Sequence, residues 1–301
     1  MEKATRLGVF LLILFMHSPF DVNAQGVFKD ALGREVVLKD RPIRIVSFAP
    51  SITEILYFLE VQDRIVGVTE YSYYPPEANS KPKIGSYISI NMEKVLSLGP
   101  DLVIATKDGN PPHVVDALDA AHIPVYVINP RSLDEIVITI KKISEVVGPL
   151  KEVESKIVKL TERIQKIKSL PKPNPVPKVF LQINLKPVMT VGKHTLHQDI
   201  ISVAGGKNIF EDSLTPYPRI SVEEVIRRSP DVIFISSMER RGEFEAARKE
   251  WMKWDSIPAV KSKRIFMVDS DLIDRPTPRA VDGLEYIYRM LMLEGKRDYG
   301  N

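Results

Sequence analysis

The stretch Asn91-Met92-Glu93-Lys94-Val95-Leu96-Ser97-Leu98-Gly99-Pro100-Asp101-Leu102-Val103-Ile104 returns 130 positions later as Ser221-Val222-Glu223-Glu224-Val225-Ile226-Arg227-Arg228-Ser229-Pro230-Asp231-Val232-Ile233-Phe234. Both copies open on a residue suited to a helix N-cap and carry a glutamate two residues later. Both then close with Pro-Asp and an apolar run. A helix that stops at a proline and hands over to a buried strand is part of a strand–helix unit. Two such units in one register predict two lobes built to one plan. A pair of generic, unrelated strand–helix units would leave a similar trace and stays open at this point.

The surroundings of both copies alternate in the same way. Arg44–Phe48 is a β-rich run, Ser51-x-x-Glu54 has the form of a capping box opening a helix Ile52–Leu59, and Arg64–Val68 is a further strand before a proline-rich loop at 71–82. Asp101–Ala105 reads as a buried strand, Val115–Ala121 as a helix and Pro124–Ile128 as a strand. Ser132-x-x-Glu135 caps a helix that stops at Gly148-Pro149. In the second half Val179–Ile183 is a strand, Thr195-x-x-Gln198 caps a helix, and Gly205-Gly206 end it. Near-continuous apolar strands separated by helices call for parallel sheets covered on both faces. Between the halves Val153, Ile157, Leu160, Ile164 and Ile167 form one apolar stripe of a helix over 151–169. Pro171, Pro173, Pro175 and Pro177 continue it as a stiff extended strap. The expected fold is therefore α/β: two Rossmann-like lobes with parallel-type sheets joined by one long rigid helix. The expected divisions are an N-terminal lobe at 25–148, a linker helix and proline strap at 149–177, and a C-terminal lobe at 178–301. A cleft between such lobes should flex only slightly.

Composition narrows the function classes. The 301 residues carry Lys+Arg 42 against Asp+Glu 39, a net charge of +3, too balanced for a nucleic-acid binder. With Cys 0, disulfides, thiolate metal sites, cysteine nucleophiles and a lipid-modified N-terminal cysteine are excluded. Glu2, Lys3 and Arg6 precede an uncharged apolar run from Leu7 to Met16, about half the ~20 residues a membrane-spanning helix needs. Pro19 and the small-residue ending Val22-Asn23-Ala24 complete the pattern of a secretory signal peptide over residues 1–24, cleaved after Ala24. The mature protein is expected in the periplasm. An N-terminal helix of the folded domain is the competing reading, opposed by Pro19 and Asp21.

No enzyme motif is present: no G-x-S-x-G, G-x-G-x-x-G, P-loop or H-E-x-x-H. The chain is expected not to be an enzyme. Gly205-Gly206-Lys207 lacks the upstream glycine of a phosphate loop and reads as a helix end. His194 and His197 could bring two imidazoles to one metal, but no nearby carboxylate completes a site; surface or capping roles are expected and no metal site is assigned. Tyr71, Tyr73 and Tyr74 lie in the loop after a sheet strand, and Tyr87 and Tyr217 just before the repeated helices. Ligands of doubly wound sheets bind at the carboxyl ends of strands, where such loops gather. Flat rings facing each other there suit a large planar or semi-apolar ligand. Local packing is the competing use of each ring, and Trp251 and Trp254 are read as packing residues.

Several of these segments carry a family resemblance. Arg44-Ile-Val-Ser-Phe-Ala-Pro-Ser-Ile-Thr-Glu54, Arg64-Ile-Val-Gly-Val-Thr-Glu-Tyr71, Tyr74-Pro-Pro-Glu77, Asn91-Met-Glu93 and Pro100 to Ala105 resemble the N-lobe of class III periplasmic binding proteins, which serve iron-siderophore, haem and cobalamin ABC importers. Val191-Gly-Lys193, Ala204 to Phe210 and Ile220-Ser-Val-Glu223 are similar to their C-lobe. Phe180-Leu-Gln182, Ile209 to Ser213, Pro216-Tyr-Pro218 and Arg275-x-x-Pro278-Arg279 look most like the cobalamin-binding branch. The resemblance implies a transported corrinoid, with a ferric siderophore or haem as the alternative, and no catalytic cofactor. It places Tyr71, Tyr87 and Tyr217 at aromatic positions around the corrin, Thr106 and Ile183 at two others, Asp271 and Arg275 among polar pocket residues, and Ser51 where backbone meets ligand. It further implies an inner-membrane permease dimer with ATPase subunits as partner, and a monomeric binding protein. Glu93 and Glu223 stand where the family docks onto permease arginines. Glu224, three after Ser221, holds the capping-box position and leaves Glu223 free for that role.

Overall fold

The computed structural model describes residues 26–148, 151–236 and 242–293. The expected leader at 1–24 lies outside them. The N-terminal part runs β1 (Gly26–Lys29), β2 (Glu35–Leu38), β3 (Ile45–Ser47), α1 (Pro50–Phe58), β4 (Ile65–Val68), α2 (Met92–Ser97), β5 (Leu102–Thr106), α3 (Pro112–Ala120), β6 (Val125–Ile128) and α4 (Leu133–Val147). Helix α5 (Lys151–Ser169) follows. The C-terminal part runs β7 (Lys178–Gln182), α6 (Leu196–Val203), β8 (Lys207–Asn208), α7 (Val222–Arg228), β9 (Val232–Ile235), α8 (Gly242–Trp251), α9 (Pro258–Lys261), β10 (Ile265–Met267), α10 (Ser270–Ile273) and α11 (Ala280–Met292). Strands β1 and β2 form a small antiparallel hairpin, tied to the first sheet by the Ala31 N–H donating to Val127 O.

The two main sheets have the orders β4-β3-β5-β6 and β8-β7-β9-β10, all parallel. These are the same order, strand for strand. The sequence repeat maps α2–β5 onto α7–β9, with starts at 92 and 222 and at 102 and 232. The repeat is therefore one of topology, and the reading of two unrelated units falls. Local chemistry starts both helices: Asn91 accepts from Lys94 N–H at 3.0 Å and Ser221 from Glu224 N–H at 3.2 Å. Strands β6 and β9 are buried at every position, as a sheet covered on both faces requires.

Val153, Ile157, Leu160, Ile164 and Ile167 of α5 are all buried, each burial stabilising by about 1.5–3 kcal/mol. They belong to one continuous core that runs from Ile52 and Ile140 on one side to Leu181, Ile200 and Leu284 on the other. Polar contacts fix the same helix at its flanks. Lys168 pairs with Asp134 of α4 at 2.6 Å, and Arg163 with Asp282 and Glu285 of α11 at 2.6 and 2.9 Å. The strap is held too, by Lys172 Nζ donating to Ile167 O and Val203 O and by the Tyr288 hydroxyl donating to Pro171 O.

The structure corrects some local expectations. Helix α1 starts at Pro50 after Ala49, without a side-chain cap; proline's fixed φ suits the first helical position. Ser51 therefore lies inside the first turn and Glu54 caps nothing. Trp251 packs edge-on against Phe180 at 5.3 Å, but Trp254 is 40% exposed and is no core residue. Glu224 turns its carboxylate to Arg227 and Arg228, at 2.8 and 2.6 Å. The Glu223 carboxyl is held below its usual range first by its own backbone N–H and then by the Ser221 hydroxyl, so the residue expected to be spare supports the helix start. Among the described residues no helix is long and apolar enough to cross a membrane.

Candidate functional site

The carboxyl ends of both sheets carry the loops that bear the tyrosines. The loop after β4 is bolted down by buried hydroxyls. Ser47 Oγ and Thr53 Oγ1 lie 2.8 Å apart, Thr53 Oγ1 donates to Ser72 Oγ at 3.0 Å, and Thr69 Oγ1 lies 3.0 Å from Ser72 Oγ. Lys83 Nζ adds a bond to Ser72 O, and burial pushes its ammonium down. This fixed loop presents Tyr71, Tyr73 and Tyr74; Tyr71 is 58% exposed.

Tyr87 is positioned through Asn110, a buried residue of the loop before α3. The Asn110 amide donates to Tyr87 O at 2.8 Å and to Phe48 O at 3.0 Å, and its carbonyl accepts from Thr106 N–H at 2.7 Å. The Tyr87 ring lies against Gly109, where a β-carbon would come within 2.7 Å of its Cδ2 and closer still to Cε2.

Tyr217 is anchored in the other half. Gly192 N–H donates to Pro216 O at 2.8 Å and Thr190 N–H to Pro218 O at 3.1 Å, fixing the backbone on either side. Its ring meets the His197 imidazole edge-to-face at 6.2 Å. His197 is held in turn: Nε2 lies 2.8 Å from Asp274 Oδ1, and Ser236 Oγ donates to Asp274 Oδ2 at 3.1 Å. The Tyr217 phenol is pushed up, first by burial, with Asp108, Asp274 and Tyr87 adding and Arg131 opposing. Tyr87, Asp108 and Arg131 all stand on loops of the first sheet, and Asp108 and Arg131 form an ion pair.

A second set of groups ties α1 of the first half to the stretch 271–279 of the second. Glu54 of α1 takes a two-pronged contact from Arg279, Nε to Oε2 at 2.8 Å and Nη2 to Oε1 at 2.7 Å, and a longer one from Arg275 at 3.3 Å. The Tyr73 hydroxyl donates to Asp271 at 2.7 Å and accepts from Arg275 Nη2 at 2.9 Å. The Arg279 guanidinium sits 3.7 Å over the Tyr74 ring. Burial alone would lower the Arg279 pKa; the hydrogen bond to Glu54 reverses this and leaves it raised. Further along, Asp199 of α6 accepts from Leu133 N–H at the start of α4, at 2.8 Å.

Of the residues expected from sequence, Tyr87 and Tyr217 stand on loops at the carboxyl ends of the two sheets, and Asp271 and Arg275 meet on Tyr73. Tyr71 stands exposed on its fixed loop. Ser51 is buried in the first turn of α1. Glu93 and Glu223 are exposed at the starts of α2 and α7. His194 is exposed while His197 is engaged with Asp274, so the two imidazoles do not converge, and no group of three potential ligands for a metal occurs among the described residues. A separate open concavity of about 520 Å³ lies among Lys193, His194, Gln198, Glu211 and Asp212; none of the cleft tyrosines lines it. Glu54, Arg279 and Asn110 went unassigned from sequence. For Glu54 a signal existed: an acid inside the apolar run Ile52-Thr53-Glu54-Ile55-Leu56 needs a partner once that face is buried.

The family model described as periplasmic binding protein matches residues 45–272. The vitamin B12-binding protein of Vibrio cholerae is 33% identical over 255 residues, covering 84% of this chain and 91% of the relative. Among solved structures, the periplasmic vitamin B12 binding protein BtuF of Vibrio cholerae aligns with a TM-score of 0.76 at 32% identity, over 85% of this chain and 99% of that one. A periplasmic heme binding protein from Pseudomonas aeruginosa aligns with a TM-score of 0.72 at 25% identity, over 83% and 92% of the two chains.

Proposed function

The chain belongs to the periplasmic binding protein family, and we propose that it captures cobalamin or a related corrinoid in the gap between its lobes and delivers it to an ABC importer. The reading is supported by the pair Tyr87 from one half and Tyr217 from the other, taken as opposite walls of that gap, with the backbone at each hydrogen-bonded in place and Tyr87 near enough to help raise the Tyr217 pKa. Two rings held apart by a rigid frame suit a thick, flat macrocycle with apolar faces. The vitamin B12-binding relatives support the same ligand class. Tyr71 adds an exposed ring on the rim, and Asp271 with Arg275 offers polar edges. Ser51, in the first turn of α1, is the position where backbone would meet the ligand. The functional division follows the sequence: a lobe over 25–148, a connection over 149–177 and a lobe over 178–301, in a protein exported by its leader and acting as a monomer.

In this reading Glu93 and Glu223 mark the two lobes for a two-fold permease with its ATPase subunits. Both are exposed, and both stand at the start of equivalent helices.

The deciding experiment is isothermal titration of the mature protein with cyanocobalamin, haem and a panel of ferric siderophores, alongside the visible spectrum of protein purified from its native host. Tight binding of cyanocobalamin and a corrinoid spectrum are expected. Saturable binding of haem or a ferric siderophore with none of cyanocobalamin would replace this reading by the alternative, which the similarity to a heme binding structure keeps in view.

A further inference from the structure

Four charged side chains meet between α1 and the stretch 271–279, which the corrinoid reading puts at the ligand, and their charges cancel: Glu54 and Asp271 against Arg275 and Arg279. Their exposure is layered. The Glu54 side chain is 2% exposed, while Asp271, Arg275 and Arg279 are 18%, 17% and 18% exposed. A ligand entering between the lobes would thus meet guanidinium edges and one carboxylate, with Glu54 hidden behind them. On loops of the first sheet, Arg131 is likewise paired with Asp108. An arginine whose charge is answered by a buried carboxylate still offers N–H groups to a neutral oxygen. It no longer offers a net positive charge to an anion.

We infer that Glu54 is a specificity-determining positioning residue: by neutralising Arg275 and Arg279 from behind, it makes the site favour a macrocycle with uncharged amide side chains over one with carboxylates. This inference rests on the corrinoid reading above. A corrin rimmed with amides can accept hydrogen bonds from the paired arginines at no charge cost, whereas a carboxylate there would face Asp271 without a free cation to offset it. The bland alternative is that Glu54 only braces the lobes, in which case its loss would weaken all ligands alike.

Two probes separate these roles: dicyanocobinamide, whose periphery carries amides, and dicyanocobyrinic acid, which has the same ring, cobalt and cyanides but peripheral carboxylates. The readout is the ratio of their dissociation constants, measured by titration on the full mature protein. Wild type should prefer the amide form. Glu54→Gln keeps the shape of the side chain and leaves one positive charge unanswered, so the preference should fall about tenfold, and the fall should shrink as salt rises. Glu54→Asp should keep the wild-type preference. Arg279→Gln, which leaves one negative charge in excess, should shift the ratio the opposite way and stands in if Glu54→Gln does not fold. Equal weakening of both probes, or an unchanged ratio in both charge variants, would overturn the inference while leaving corrinoid binding intact. Failure of wild type to bind dicyanocobinamide would instead remove the corrinoid reading, and this inference with it.

Discussion

Replacing Gly109 by alanine tests the role of Tyr87 without touching the ring itself. The new methyl would lie 2.7 Å from Cδ2 of Tyr87, inside any normal contact, and nearer still to Cε2. What obstructs it is the far part of a side chain, not backbone, so the ring can swing aside. The Tyr87 backbone cannot follow, because Asn110 holds its carbonyl at 2.8 Å. Stability should fall, because Gly109 has a φ of 157°, a conformation that alanine adopts only under strain, so affinity is read at a temperature where every variant is folded. Ligand affinity should fall as well. A stacked ring contributes about 0.5–1.5 kcal/mol beyond the area it buries, so moving it out of line should weaken cyanocobalamin by roughly 2–12-fold. Calorimetric titration of wild type, Gly109→Ala, Tyr87→Ala and the double variant forms a cycle. If glycine acts through the ring, its effect should vanish once the ring is gone, giving strong non-additivity. An unchanged affinity in Gly109→Ala, or the same loss with and without Tyr87, would refute the assignment of Tyr87 to the ligand wall.

Trp251→Phe removes the donor that meets Gln182 Oε1 at 2.6 Å in a buried site; the stranded oxygen should cost about 1–3 kcal/mol in urea unfolding, and Gln182→Met in the same chain should recover much of it. The Asp199 carboxyl is raised chiefly by burial, against the opposing bond from Leu133 N–H, so the folded state holds its proton more tightly than the unfolded one and loses stability as pH rises through the carboxylate range. Asp199→Asn should then raise the neutral-pH Tm, by about 2–4 °C for ~1 kcal/mol of relief, with no gain in acid; a lower Tm at neutral pH would contradict this. Glu93→Ala with Glu223→Ala should leave cyanocobalamin titration unchanged and cripple cellular uptake, whereas normal uptake would return both residues to supporting their helices. Small-angle scattering should show almost no change in radius of gyration on adding ligand, and a large drop would contradict a stiff connection through α5.

How far the sequence reached depends on the range of the interactions involved. The two-lobed plan was legible because it rests on local rules: N-cap residues, a helix-ending proline and strands apolar at every position all act within a dozen residues. The same holds for α5, whose five-residue stripe needs only helical spacing. The Glu54 cluster was not legible, for the opposite reason. Glu54 meets Arg279 at a separation of 225 positions, and no local rule links them. A local rule even misled, since Ser51-x-x-Glu54 has the spacing of a capping box although Pro50 had already begun the helix. Glu223 and Glu224 show the same weakness in miniature. Spacing assigned the cap to Glu224, but Arg227 and Arg228 compete for that carboxylate one turn away and win.

The contacts that escaped the sequence also bear on how such a protein could signal that it is loaded. The two halves are joined by the merged core around α5, by the Glu54 cluster and by the Asp199 bond to the start of α4. A ligand can shift an equilibrium only by its differential affinity for two states. With an opening fixed by so many contacts, there is little second state to select. A large closure is therefore a poor carrier of the message in this frame. What the frame does provide is a constant separation between the starts of α2 and α7, each bearing an exposed glutamate. A receiver that reads those two carboxylates would recognise the protein loaded or empty, and discrimination would have to come from the ligand itself at the mouth of the gap. If the site is where we propose, the exposed Tyr71 and the part-exposed Tyr217 are the places where occupancy would change the surface presented.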